Sequence, residues 1–332
     1  MLRKLVAYCK FNQPPSFQGY PGLTFRGVLG ECLRNMLCTQ KTRKTCHKCP
    51  LEKACPTAYL FETYPGLYPP ERRKIARKLT GITKPYIIMP TTQHDTLKIS
   101  LTLIGQAKKY TILVPYLLLS MAATGIGRKQ ETQTRRTFTL KRIKAENPIT
   151  NKEITIYNHG IKPHIKEEQY PDITEKQIEE KAEEILEQQP KKVTLKFKTP
   201  YWLKTGGKTA WIPEMPHIIM NIARKYSLIK TYHLTENPLT PTQAAQLKET
   251  AKNIKIQKAT IKQVTIRHLS LERQTIEIYE NFAQGQITYQ IKPQLYKQKN
   301  AKQTIKLILL GQHIHIGKYT SAGFGAYNTK FT

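Results

Sequence analysis

Two stretches of this chain spell out the same succession of hydrophobic patterns, and that recurrence narrows the possible folds more than any single motif. In the first half, Leu2 to Tyr8 reads as a short strand, and the loop NQPPSFQGYPG leads into a helix. Phe25, Val28, Leu29, Cys32, Leu33, Met36 and Leu37 recur there at intervals of three and four, with Thr24 placed to cap the start. The opposite face carries Arg26, Gly27, Gly30, Glu31, Arg34 and Asn35. Two glycines inside a helix cost stability, so another group is expected to approach its backbone closely. Leu97, Ile99, Leu101 and Leu103 alternate with polar residues as a half-buried strand. A second helix has Pro115 in its first turn, an apolar body from Tyr116 to Ala123 and a glycine stop in TGIGRK. RRTFTLKRIK and EITIY flank the turn AENPITN as a hairpin.

The second half repeats the order. KKVTLKFKTP buries Val193, Leu195 and Phe197 on alternate positions, a helix is expected over 217–230, and strands over 264–271, 275–279 and 287–291. A helix over 300–310 has Asn300 as its cap and Gly311 as its stop, and a last strand pair brackets GKYTSAGFGAY. Strand, helix, strands, helix, strand is the order of a split βαβ unit, and two tandem copies of this α+β unit account for the 332 residues. Between them, Ile178, Ala182, Ile185 and Leu186 mark an amphipathic acidic linker helix at about 171–189, ended by Pro190. The predicted domains are therefore 1–190 and 191–332.

Charge then restricts the partner. Lys and Arg total 54 against 23 acids, and nine of those acids lie between Glu167 and Glu187, so that elsewhere 52 cations face 14 acids. Such an excess repels itself in a compact state and calls for a polyanion, and thermal adaptation would raise Glu together with Lys. Nucleic acid is favoured over membrane, because the longest apolar run, Ile112 to Ala123, falls short of the roughly 20 residues that span a bilayer. No secretory pattern opens the chain, and six cysteines without a disulfide-dense layout suit a reducing cytoplasm.

Three motifs carry candidate chemistry. In HIHIGKYTSAGFGAY, Gly317, Gly323 and Gly325 would let backbone N–H groups approach a phosphate, with Lys318 for charge and Phe324 as a stacking face. The bland reading is a tight loop before an edge strand. Cys38, Cys46, Cys49 and Cys55, spaced as a knuckle with two outlying thiols, suit a closed structural metal site, zinc or alternatively an iron-sulfur cluster. Cys9 and Cys32 read as buried core. Basic clusters stand at ERRKIARK, GIGRKQETQTRR and KRIK.

These residues resemble a known family. LTFRGVLGECLRNMLC with the cysteines and CPTAYLFE, then TGIGRKQ, LSLERQTIEIYENFAQGQITYQI and GQHIHIGKYTSAGFGAY, are similar to the CRISPR pre-crRNA processing endoribonucleases of the RAMP superfamily, from end to end. The resemblance implies two tandem ferredoxin-like (RRM-like, βαββαβ) domains with a basic inter-domain cleft, here with a cysteine-rich insertion. It implies metal-independent cleavage of the CRISPR repeat by 2′-hydroxyl attack, leaving a 2′,3′-cyclic phosphate and a 5′-hydroxyl and yielding crRNA. Relatives use a His in or just after the first helix. That helix has none here, and the nearest is His47, so the expected trio is His47 as acid or base, Lys44 as phosphorane stabiliser and Tyr20 as orienting group. His315 stands where the family signature has a His, but with His313 it reads as a structural pair on one strand face. Arg26, Arg128, Lys129, Arg135, Arg136, Arg273, Lys318, Ser321, Gly323, Phe324 and Gly325 are expected to bind RNA. The alternatives are a catalytically inactive repeat-binding subunit of a CRISPR effector complex, or a metal-cluster protein of repair or ribosome assembly. Other effector subunits are possible partners.

Overall fold

A computed structural model describes residues 1–13, 17, 19–43, 45–78, 81–127, 135–161, 170–270 and 275–332. The first unit contains β1 (Leu2–Phe11), α1 (Gly22–Leu37), α2 (Pro70–Lys78), β2 (Tyr86–Gln93), β3 (Thr96–Ile104), α3 (Leu113–Thr124), β4 (Phe138–Asn147) and β5 (Lys152–Asn158). Its antiparallel sheet runs β2-β3-β1-β4-β5. After α4 (Glu175–Gln188), the second contains β6 (Lys192–Phe197), the two-residue strands β7 (Lys204–Thr205) and β8 (Lys208–Thr209), α5 (Met215–Ile229), α6 (Pro241–Ala251), β9 (Ile254–Ser270), β10 (Thr275–Ile291), α7 (Ala301–Ile314) and β11 (Tyr327–Phe331). Its sheet runs β11-β6-β10-β9. In each sheet the strand that opens the unit lies between the strands that end its two halves, which is the βαββαβ ferredoxin-like arrangement twice over, β5 being an added hairpin strand.

Helices cover one face of each sheet. Leu5, Ala7, Cys9 and Phe11 of β1 pack with Phe25, Val28, Leu29 and Cys32 of α1 and with α3. Val193, Leu195, Phe197, Ile287 and Tyr289 pack under α5 and α7, and Leu2, Ile87, Ile104 and Ile173 enter this second core, so the two units share an apolar seam. No helix among the described residues is long and apolar enough to cross a membrane.

Several expectations change on contact with the packing. The first helix starts at Gly22 without a side-chain cap, and Thr24 lies inside it. At Gly30 a Cβ would stand 2.2 Å from the Phe61 ring, which is the close approach its glycine implies. The acidic helix α4, capped by a reciprocal Thr174–Gln177 box, packs Ile178, Ala182 and Ile185 into the second core, so by packing it sides with the C-terminal unit. Lys306, buried, ion-pairs with Glu175 and with Glu179 (2.6 Å). The α7 helix runs through Gly311 to Ile314, because the Tyr327 hydroxyl and Ile222 lie against the glycine Cα and leave no room for a side chain. His313 is therefore helical, His315 at φ +59° ends the helix, and the two do not share a strand face.

One histidine rivets the two units. His233 is fully buried, with Nε2 2.7 Å from the Thr83 carbonyl oxygen and Nδ1 3.2 Å from the Tyr59 hydroxyl, so Nε2 donates and Nδ1 accepts from the phenol. Burial pulls its pKa down to about 4 from the usual value near 6.5. The unfolded chain thus takes up a proton that the folded one refuses. His233 leaves stability intact above about pH 6.5 and lowers it by up to about 3 kcal/mol as pH falls to about 4. Urea unfolding at pH 7 and pH 4.5 is expected to show a smaller acid loss in a His233→Gln variant than in the parent; equal losses would refute this.

Candidate nucleic-acid interface

A strand's period of two that buries one face must present the other, and here the presented faces are cationic. On the first sheet, β1 turns half-buried Lys4 and Tyr8 and exposed Lys10 to that face, and Tyr8 stands in register with Lys98 on β3 and Arg142 on β4. The Lys98 ammonium lies 5.2 Å and the Arg142 guanidinium 5.1 Å from the Tyr8 ring centroid, while the phenol donates to Glu146 at 3.1 Å. On the second sheet, Lys196, Lys255, Lys258, Lys262 and Lys330 share one face.

The two faces meet at a cavity of about 630 Å³, lined by Lys4, Ser100 and Thr102 from the first unit and Lys198, His313 and His315 from the second. Burial lowers the Lys198 pKa, and the positive charge of Lys98 lowers it further. Burial also lowers Lys4, against the opposing pull of Glu146, with Lys98 and Lys198 both adding to the depression. His315 is held near 3 by burial and by the neighbouring Lys225, whose ammonium donates to the His315 carbonyl at 2.9 Å. Cations from both units thus crowd into one recess, an arrangement that a bound polyanion relieves. Lys4, Lys98, Lys198 and Tyr8 were not singled out in the sequence; the alternation in KISLT and KFKTP carries part of the signal.

The glycine-rich tail is used differently from the expected phosphate cradle. Gly317, Gly323 and Gly325 all have φ between +73° and +82°, and a Cβ on them would stand 2.4 Å from the Trp202 carbonyl oxygen, 2.3 Å from the Tyr20 hydroxyl and 1.9 Å from the Ile316 carbonyl oxygen. Their N–H groups donate to Asn221 Oδ1, the Thr320 carbonyl and the Pro200 carbonyl. The glycines therefore let chain segments cross closely, and their amides are occupied. Phe324 is fully buried among Tyr20, Phe282 and Tyr319, so it locks the tail against α1 and offers no face to a base. Lys318 is exposed, its ammonium 4.2 Å from the Trp202 ring centroid, and Ser321 is half-buried.

Of the expected catalytic trio, Tyr20 meets this tail, 4.8 Å from Phe324 between ring centroids. Its hydroxyl is buried without a partner among the described residues, and burial raises its pKa far above the phenol range. His47 is exposed and stands edge-on to Tyr64 at 5.4 Å; no hydrogen bond or ring contact among the described residues joins it to Tyr20. Lys44, Arg128, Lys129 and Arg273 lie outside the described residues. Arg135 ion-pairs with Glu31 of α1 at 2.8 Å, Arg136 donates to Gln13, and Arg26 lies on α1 with its guanidinium 4.8 Å from the Phe61 ring centroid.

The cysteines are close but not gathered as a metal centre. Cys46 is buried and Cys38, Cys49 and Cys55 are half-buried. Burial first, then Glu62, Cys55 and Cys38, push the Cys46 thiol up to about 11. Backbone turns hold the segment, including the Cys49 N–H donating to the Cys46 carbonyl at 3.1 Å. Among the described residues no three His, Cys, Asp or Glu side chains are arranged to hold a metal. Cys9 and Cys32 are buried in the first core.

Comparison with known proteins follows the fold. Residues 2–170 match the AF_1859_N family model, described as an N-terminal domain, and residues 195–327 match that of the CRISPR-associated endoribonuclease Cas6. No curated protein matches in sequence. Among solved structures, a Cas6 product complex superposes with a TM-score of 0.56 at 16% identity, over 99% of each chain. The Thermus thermophilus Cas6 does so at 0.54 and 15%, over 99% of this chain and 98% of that one. A partial Cas6-RT-Cas1–Cas2 complex matches all of this chain and 46% of the other, at 0.56 and 13%. At such identities these structures speak for the shared two-unit fold. With the AF_1859_N domain over residues 2–170, the chain belongs to the family of that N-terminal domain, and its second half carries the domain of the CRISPR-associated endoribonuclease Cas6.

Proposed function

We propose that this protein is an endoribonuclease that binds CRISPR repeat RNA and cuts the precursor transcript without a metal ion, by attack of a 2′-hydroxyl on the adjacent phosphate, leaving a 2′,3′-cyclic phosphate and a 5′-hydroxyl. The observation that carries this reading is the convergence of Lys4 and Lys198 from two units on one recess, with Lys98 in electrostatic reach of both, continued by the Tyr8 platform and by the lysines of the second open sheet. Spaced cations beside an aromatic face suit a single strand, whose phosphates take the charge and whose unstacked bases find a ring. The Cas6 match and the superposed Cas6 product complex agree with it.

The test is a labelled repeat RNA incubated with purified protein in excess EDTA. One product ending in a cyclic phosphate is expected, and a substrate with 2′-deoxyribose at the cut should stay whole. Tight binding with no cut would instead identify a silent repeat-binding subunit, and equal binding of arbitrary RNA would overturn repeat recognition.

A further inference from the structure

The β9–β10 hairpin reaches well past the sheet that it belongs to. Strand β6 pairs only with 286–290 of β10, whereas the β9–β10 ladder continues to Ser270 and Thr275. One face of this arm, with Val264, Ile266, Tyr279 and Phe282, packs on Leu23 of α1, on Tyr20 and on Tyr319 and Phe324 of the tail. A Cβ on Gly19, just before α1, would come within 3.8 Å of the Thr265 carbonyl oxygen, so the arm and the entry to α1 are in contact.

Two residues beyond Ile266, on the same face, stands His268, half-buried and in register with Glu277 across the hairpin. Glu277 also accepts from the Tyr279 hydroxyl. On the facing helix, Arg26 lies one turn beyond Leu23, so the helix that packs on Ile266 turns Arg26 toward His268. Burial lowers the His268 pKa first, Glu277 opposes this, and the positive charge of Arg26 lowers it again, which places the guanidinium within electrostatic reach. Arg26 Nε is buried without a partner among the described residues. Lys84 adds a second cation here, burial and Arg26 bringing its pKa down to about 8 while its ammonium donates to the Glu62 carbonyl. An imidazole in register with a carboxylate thus lies within electrostatic reach of Arg26 at the junction of the two units, with Lys84 near Arg26.

We propose that His268 is the catalytic base of the RNA cut, with Glu277 orienting it and Arg26 holding the scissile phosphate. This rests on the endoribonuclease reading. The neutral imidazole takes the 2′-hydroxyl proton as O2′ bonds to phosphorus; the phosphorus–O5′ bond breaks, and the departing 5′-oxygen takes a proton from water. Arg26 offsets the charge that gathers on the phosphoryl oxygens.

Single-turnover cleavage with saturating enzyme, followed from pH 5 to 9, tests it. His268→Ala is expected to cut at least 100-fold more slowly with RNA affinity within threefold of the parent. Glu277→Gln, which removes the opposing pull on the imidazole, should move the acidic limb of the rate profile to lower pH. Cutting by His268→Ala within threefold of the parent rate overturns the assignment while leaving the endoribonuclease reading in place. A parent protein that leaves the RNA whole overturns that reading itself.

Discussion

The double variant Lys98→Glu, Lys198→Glu is expected to bind single-stranded repeat RNA on the order of 10²-fold more weakly at 0.15 M salt, and to flatten the slope of log K against log salt by about 1.4, or about 0.7 for each lost phosphate contact. The two side chains come from different units and lie near Lys4, and the charge of Lys98 already helps to depress the pKa of both Lys4 and Lys198. Reversing them replaces two attractive contacts by two repulsive ones. The fold should not weaken, because each new carboxylate acts on the Lys4 ammonium with an opposite charge in place of a like one. Lys248→Glu, Lys252→Glu at the C-terminal end of α6, in the helical layer, supplies the control and should alter binding less than threefold. Filter binding across a salt series decides: equal losses for the two pairs would mean that the charge acts diffusely and that the recess has no special part.

Gly325→Ala is expected to cost on the order of 3 kcal/mol of stability, from left-handed backbone strain and from the shift forced on neighbouring main chain. The glycine has φ +73°, and the new methyl carbon would start 1.9 Å from the Ile316 carbonyl oxygen, an atom fixed by the crossing of two segments. A phosphate cradle would behave otherwise, losing RNA affinity and little stability. Urea unfolding with parallel RNA titration separates the roles. An unchanged unfolding midpoint with weakened binding would restore the cradle reading of the tail.

Much of the architecture could be read from residue patterns because its elements are strongly periodic. The α1 stripe from Phe25 to Leu37, the alternation at Leu97–Leu103 and the glycine that stops α3 are local signals, and local signals survive without knowledge of partners. Where a partner decides, reading failed. Gly311 looks like a helix stop until Tyr327 is found pressed against it, and HIHI then looks like strand. Helix α6 went unnoticed because Leu247 is its one large buried apolar residue, although the reciprocal Thr240–Gln243 cap marks its start. The tail glycines fit a ligand cradle and a chain crossing equally well in sequence; Trp202 and Ile316 decide, and one of these lies more than 100 residues away. The same distance hides the candidate site. Lys98 and Lys198 become neighbours only when the units dock, and His268 faces Glu277 only through the register of a long hairpin.

Helix α4 gathers acids on a chain otherwise starved of them, and several are tied to Lys302 and Lys306 of α7. One consequence is directional. With its carboxylates banked along a single strap, the molecule carries a lopsided electric moment, so a transcript drifting past would rotate it before touching it.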